Sequence, residues 1–258
     1  RCFTELAAAD QPAAGRAAVQ ATFERAAFVS LVLAVLTLPF GTSPFTVCGG
    51  AGLFFWLISH RTIHRYQPLL HEPWVAPLVA WIGIHWVGLL YSPDPKVYGM
   101  DFALKTHYWA YAAAIGTLVS KRFPAERVIH ALLAGLILNS VIACLQIAGI
   151  WPVDDLDPKY LGLTSGYNSL AVLLNVGILL SSYYFRAMKK IQYKFGYIMI
   201  MALFIFAIAI TRGRSGYLTF FLILPFVIYN IMDGKRLVIA FLFFLLVCGL
   251  ISYSPFVE

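Results

Sequence analysis

FGYIMIMALFIFAIAITRGRSGYLTFFLILPF, residues 195–226, decides the fold. Two helix-length apolar segments flank a short turn holding Arg212 and Arg214. A bilayer core ~30 Å thick needs about 20 apolar residues per helical crossing. The pattern predicts two membrane-spanning helices joined by a tight, positively charged turn. Moving outward, the same pattern repeats: of 258 residues 60% are hydrophobic and only 12% charged, with a mean hydropathy of +0.78. A soluble domain would carry about twice that charge. Apolar segments of helix length exclude a β-barrel, whose strands give weak alternating ten-residue signals. The expected fold is all-α, a polytopic transmembrane bundle.

Residues 1–25 are Ala-rich and mixed in charge, and read as a cytoplasmic tail, partly helical or disordered; residues 26–258 form the membrane domain. Ala26–Ser59 is uncharged and divided at Pro39–Pro44 into two arms, each short for a crossing, which either span or form a re-entrant hairpin. Further spans are expected at Trp74–Tyr91, Phe102–Ser120, Val128–Trp151, Leu161–Phe185, Phe195–Thr211, Ser215–Met232 and Leu237–Ser254, about nine in all. No initiator Met and no signal peptide precede the first span, and the chain stops at Glu258 just after an apolar run; it reads as a fragment or processed form of a longer protein.

Basic residues favour cytoplasmic loops. With the N-terminus in the cytoplasm, that side receives 14 of the 19 basic residues. The other side receives Lys96, Lys105, Lys159, Arg212 and Arg214, together with Asp94, Asp101, Asp154, Asp155, Asp157 and Glu258. The net charge of +7 is thus explained by topology rather than nucleic-acid binding. Arg212 and Arg214 run against the bias and have no carboxylate near in sequence, which makes them site candidates. Arginine forks match phosphate oxygens. Gly213 and Gly216 would let backbone N–H groups approach a ligand, and Ser215 would cap the following helix. The competing reading is snorkelling to phospholipid phosphates. Lys105 would add charge to the same anion, or snorkel like the others.

His85 reads as hydrogen-bonded between helices, and Asn139, Gln146 and Asn175 as bonding across helices. Asn168 sits where it could reach a ligand, although packing or capping is the plainer role. Gly49, Gly50 and Gly52 mark close helix approach. Asp155 and Asp157 read as a solvated acidic loop. Three of the four cysteines lie in apolar segments as core residues, with no metal spacing. No nucleotide-binding or metalloprotease motif is present, and no cofactor or metal is expected.

Three stretches together resemble the O-antigen ligase family. LLYSPDPKVYGMDFALKTHYW (Leu89–Trp109) is similar to its external loop, where a Trp/Tyr-Ser-x-Asp-Pro motif leads into a span with an early basic residue. GLTSGYNSLAVLLNVGILL, from Gly162, is similar to the helix before its Arg motif, and TRGRSGYL (Thr211–Leu218) to that Arg turn, with the family's Arg at Arg214 and Arg212 at a variable position. Their order matches over roughly Gln67–Asp233. The resemblance implies a metal-independent glycosyltransferase of the bacterial inner membrane. Such an enzyme moves a glycan from undecaprenyl diphosphate to an acceptor at the periplasmic face. For a ligase the acceptor is the lipid A core of lipopolysaccharide; relatives polymerise O-antigen or glycosylate pilin. A more distant alternative is a transporter or flippase of an anionic lipid. The family's general-base His falls beyond Glu258, so this chain is expected to be the N-terminal part of the enzyme and inactive alone.

Overall fold

A computed structural model describes residues 2–59, 73, 75–91, 99–119, 123–150, 162–163, 167–211 and 214–231, and the side chains of those in 2–17, 101–102, 167–168 and 214 are outside the description. All regular structure among these residues is helical. The helices are α1 (Cys2–Thr37), α2 (Thr42–Ser59), α3 (Val75–Gly88), α4 (Met100–Leu104), α5 (Tyr108–Val119), α6 (Ala125–Ile147), α7 (Tyr167–Ala187), α8 (Ile191–Thr211) and α9 (Arg214–Ile231), with 3-10 turns at Leu38–Phe40 and Lys105–His107. Five stretches are long and apolar enough to cross a membrane: Ala18–Phe40, Thr42–Ser59, Ala125–Ile147, Ser169–Ala187 and Ile191–Thr211. Large side chains such as Leu218, Leu222, Phe226, Phe206 and Leu138 face outward. So much exposed apolar surface is costly in water and natural in lipid.

Several expected boundaries move. α1 is one continuous helix through the expected tail, and its membrane-compatible stretch opens at Ala18 rather than Ala26. That stretch takes in Arg25, which is exposed, and Glu24, which is only 4% exposed and accepts a bond from Gln20 Nε2 (3.2 Å). Both arms around the turn are therefore long enough to cross. Pro39 in the 3-10 turn cannot continue the helix hydrogen bonding, and Gly41 at φ 134° takes a conformation that side chains disfavour. The expected span 74–91 contains a helix of only 14 residues, about 21 Å long. The span 102–120 tightens into a 3-10 turn at Lys105–His107 between α4 and α5, with helical backbone on both sides. Leu237–Ser254 lies outside the described residues, as do Asp155, Asp157, Cys248 and the side chain of Cys2. Cys48 and Cys144 are half-buried free thiols rather than fully buried core residues.

The chain forms two compact units, Arg1–Val35 with Ser43–Val128, and Leu36–Thr42 with Ile129–Glu258. In the first unit, Ala27, Phe28, Leu31 and Ala34 form the buried stripe of α1, at helical spacing. Gly52 of α2 lies against Leu31, and Gly49 against the Tyr111 ring of α5, so a Cβ at either would come within 2.7 Å of those side chains. The close-approach reading of these two glycines holds; Gly50 faces open space. Trp56 Nε1 donates to Thr117 Oγ1 across the same interface (2.8 Å).

In the second unit α7 is the central helix, burying Leu170, Ala171, Leu174, Asn175, Ile178 and Ser181. It packs along both α8 and α9, which touch each other far less. Gly177 meets Phe204 of α8 and Leu136 of α6, and Tyr184 stacks on Tyr197 (5.6 Å) and tilts against His130 (5.4 Å). These pairings make α6 and α8 antiparallel to α7. Ala171–Gly216 and Ser182–Asn230 make α9 parallel to it.

Candidate functional site

The parallel packing of α7 and α9 brings their first turns to one end of the second unit. Asn168 is the second residue of α7, three before Ala171, and Arg214 opens α9 two residues before Gly216. Arg212 and Gly213 lie outside the described residues. The backbones of Arg214 and Asn168 are thus placed at the same end.

Three contacts fix the turn that carries Arg214. Asn175 Nδ2 donates both to Ala171 O in its own helix and to Gly216 O in α9, each at 3.0 Å. Gly216 is buried against α7, where a Cβ would come within 2.6 Å of the Ala171 Cβ. Tyr217 Oη reaches back to the Ala209 carbonyl of α8 (3.0 Å), tying the helices on either side of the turn. Gly216 therefore serves helix packing and not the approach of a ligand to the backbone. Ser215 lies inside the first turn, because α9 already begins at Arg214, so it does not cap the helix. The helix start remains a place where N–H groups and the helix dipole favour an anion.

Asn139 and Gln146 tie loops to helix α6 rather than side chains to one another. Asn139 Nδ2 donates to Pro39 O (2.8 Å), while its Oδ1 accepts from Leu163 N (2.8 Å). Gln146 Oε1 accepts from Gly162 N (2.6 Å). Gly162 has φ 78°, and a Cβ there would press on the Asn139 amide. Gly162 and Leu163, a few residues before α7 in sequence, are thus held on α6 by amide side chains at the Arg214 end. Three buried oxygens, Asn175 Oδ1, Ser140 Oγ and Ser181 Oγ, accept or donate no hydrogen bond among the described residues.

Lys105 belongs to the first unit. It is exposed, in the 3-10 turn between α4 and α5, where Thr106 Oγ1 accepts from Trp86 Nε1 (3.2 Å) and donates to Ala103 O (2.6 Å). The neighbouring His107 ring is tilted against Tyr108, with centroids 4.2 Å apart. The expected shared anion site of Lys105 with Arg214 thus draws on two separate units. Among the described residues His85 bonds within its own helix, Nδ1 to the Trp81 carbonyl one turn back in α3 (2.9 Å). Among the described residues no three His, Cys, Asp or Glu side chains gather as metal ligands would.

Sequence reasoning passed over Gly135, Gly177 and Thr211. Gly135 sits so close to the Leu36 carbonyl that a Cβ would collide with backbone. The available signal was a glycine inside a membrane-length helix, which marks close backbone approach. The chain matches no protein-family model, no curated protein and no solved structure.

Proposed function

We propose that the chain is the membrane-embedded part of a glycosyltransferase that draws its glycan from a lipid diphosphate, in the manner of the O-antigen ligases it resembles. The observation that carries the reading is Arg214 at the first position of a helix. Asn175 and Gly216 lock that first turn onto α7 beside the start of that helix, and Tyr217 ties it to α8. A guanidinium there, with the helix N–H groups behind it, suits a diphosphate at the membrane edge. It would stabilise the charge that grows on the leaving diphosphate as the anomeric C–O bond breaks. The acceptor hydroxyl forms the new glycosidic bond and gives its proton to a base that none of the chain's histidines is assigned to be. Arg212 and Asn168 are supporting residues.

In this reading the N-terminus is cytoplasmic, about nine spans cross the bacterial inner membrane, and Arg214 faces the periplasm. The glycan rides on undecaprenyl diphosphate and its acceptor is the lipid A core; polymerisation of O-antigen or transfer to pilin would use the same half-site. A second reading is a transporter or flippase of an anionic lipid, in which the same arginines would line a pathway. The two separate in one experiment. In cells that depend on this protein for O-antigen attachment, Arg214→Ala abolishes capping of lipopolysaccharide while membrane expression persists. Arg214→Lys is also impaired, since an ammonium lacks the fork. Normal capping in Arg214→Ala cells sinks the glycosyltransfer assignment, and loss of lipid export without loss of transfer in vitro selects the transporter.

A further inference from the structure

The end of the second unit opposite Arg214 carries a second concentration of positive charge. Between α7 and α8 the segment RAMKKIQYK (186–194) holds four cations in nine residues and no acid. Among the described residues of this unit there is no Asp or Glu at all.

Two of the cations are held in place. Arg186 Nη1 donates to the Tyr229 carbonyl (3.2 Å), and the guanidinium lies over the Tyr229 ring, 4.8 Å from its centre. Lys194 sets its Nζ over the Phe185 ring at 5.2 Å. Among the described residues no carboxylate takes up the remaining donors of these cations, and both contacts limit the rotamers that a ligand would otherwise have to freeze. Lys189 and Lys190 are exposed on the turn itself. Around them Tyr183, Tyr193 and Tyr229 are all more than half exposed, as tyrosines at a membrane–water interface are. The first turn of α8 adds N–H groups of the same polarity directly behind Lys190.

We infer that the α7–α8 turn is a binding site for the headgroup of an anionic phospholipid. Arg186 and Lys194 flank the phosphodiester, Lys189 and Lys190 supply mobile charge, and the tyrosines hold the level of the headgroup region. This site is independent of the glycosyltransfer reading, because it lies at the other end of α7.

Native mass spectrometry of the purified full chain tests the inference, with phosphatidylglycerol, phosphatidylcholine and inorganic phosphate as probes. The wild-type chain retains phosphatidylglycerol in preference to phosphatidylcholine. Each lysine neutralised costs about fivefold, as expected for roughly 1 kcal/mol per surface cation. K189Q and K190Q singly, both at exposed positions, therefore each lower the preference, and K189Q/K190Q/K194Q lowers it at least tenfold. The charge-preserving K189R/K190R/K194R keeps it. Equal preference in wild type and K189Q/K190Q, equal retention of phosphatidylcholine, or displacement of the lipid by millimolar inorganic phosphate overturns the proposal.

Discussion

Gly216 separates two accounts of the same motif at the scale of one residue. A glycine next to an arginine in a turn suggests a backbone opened for a ligand, and the structure instead buries it on Ala171. Gly216→Leu should therefore destabilise the protein by about 1–3 kcal/mol through overpacking. The loss should be largely recovered in the double variant with Ala171→Gly, as followed by thermal unfolding in detergent. A glycine needed for ligand approach would show no such rescue. Gly135 offers the harsher case: its would-be neighbour is the Leu36 carbonyl, which cannot rotate aside as a side chain can. Gly135→Ala is expected to cost at least as much in the same unfolding measurement.

Helices in lipid gain little from burying one apolar surface against another, because lipid tails are equally apolar, so small residues and a few hydrogen bonds hold them together. The first unit shows the two devices on one face of α2, with Gly49 and Gly52 for close approach and Trp56 for the bond to Thr117. Trp56→Phe keeps the ring and removes the N–H, and should lower stability by about 1 kcal/mol. A Trp56→Phe protein as stable as wild type would show that the bond contributes nothing. The same physics explains what could be read in advance. Leu133, Leu136, Phe204 and Ile208 announced helices by apolar length alone. Glycine positions announced close contacts, but not which of them mattered: Gly50 faces open space and Gly135 meets backbone. The 3-10 turn at Lys105–His107 was illegible because an apolar run carries no mark of where a helix tightens into 3-10 geometry. For the candidate site, the end of the bundle that holds Arg214 was legible from the alternation of spans. The locking of its turn by Asn175 and Tyr217 was not, since both bonds go to carbonyl oxygens that every residue possesses.

Across the whole molecule the charge distribution makes the claim that is easiest to check. In the second unit the antiparallel course of α6, α7 and α8 puts Arg186, Lys189, Lys190 and Lys194 at one end and Arg214 at the other. If the positive-inside bias sets the orientation, a cysteine replacing Gly213 reacts with a membrane-impermeant thiol reagent in intact cells. A cysteine replacing Met188 then reacts only after lysis. The reverse pattern would invert the molecule and move the Arg214 site to the cytoplasm.

The two amide clamps on the entry to α7 carry a practical consequence. Gly162 and Leu163 are bonded to Gln146 and Asn139 irrespective of the chain that precedes them. An epitope or a fluorophore site spliced into residues 151–161 should therefore leave the Gly162–Leu163 backbone seated on α6.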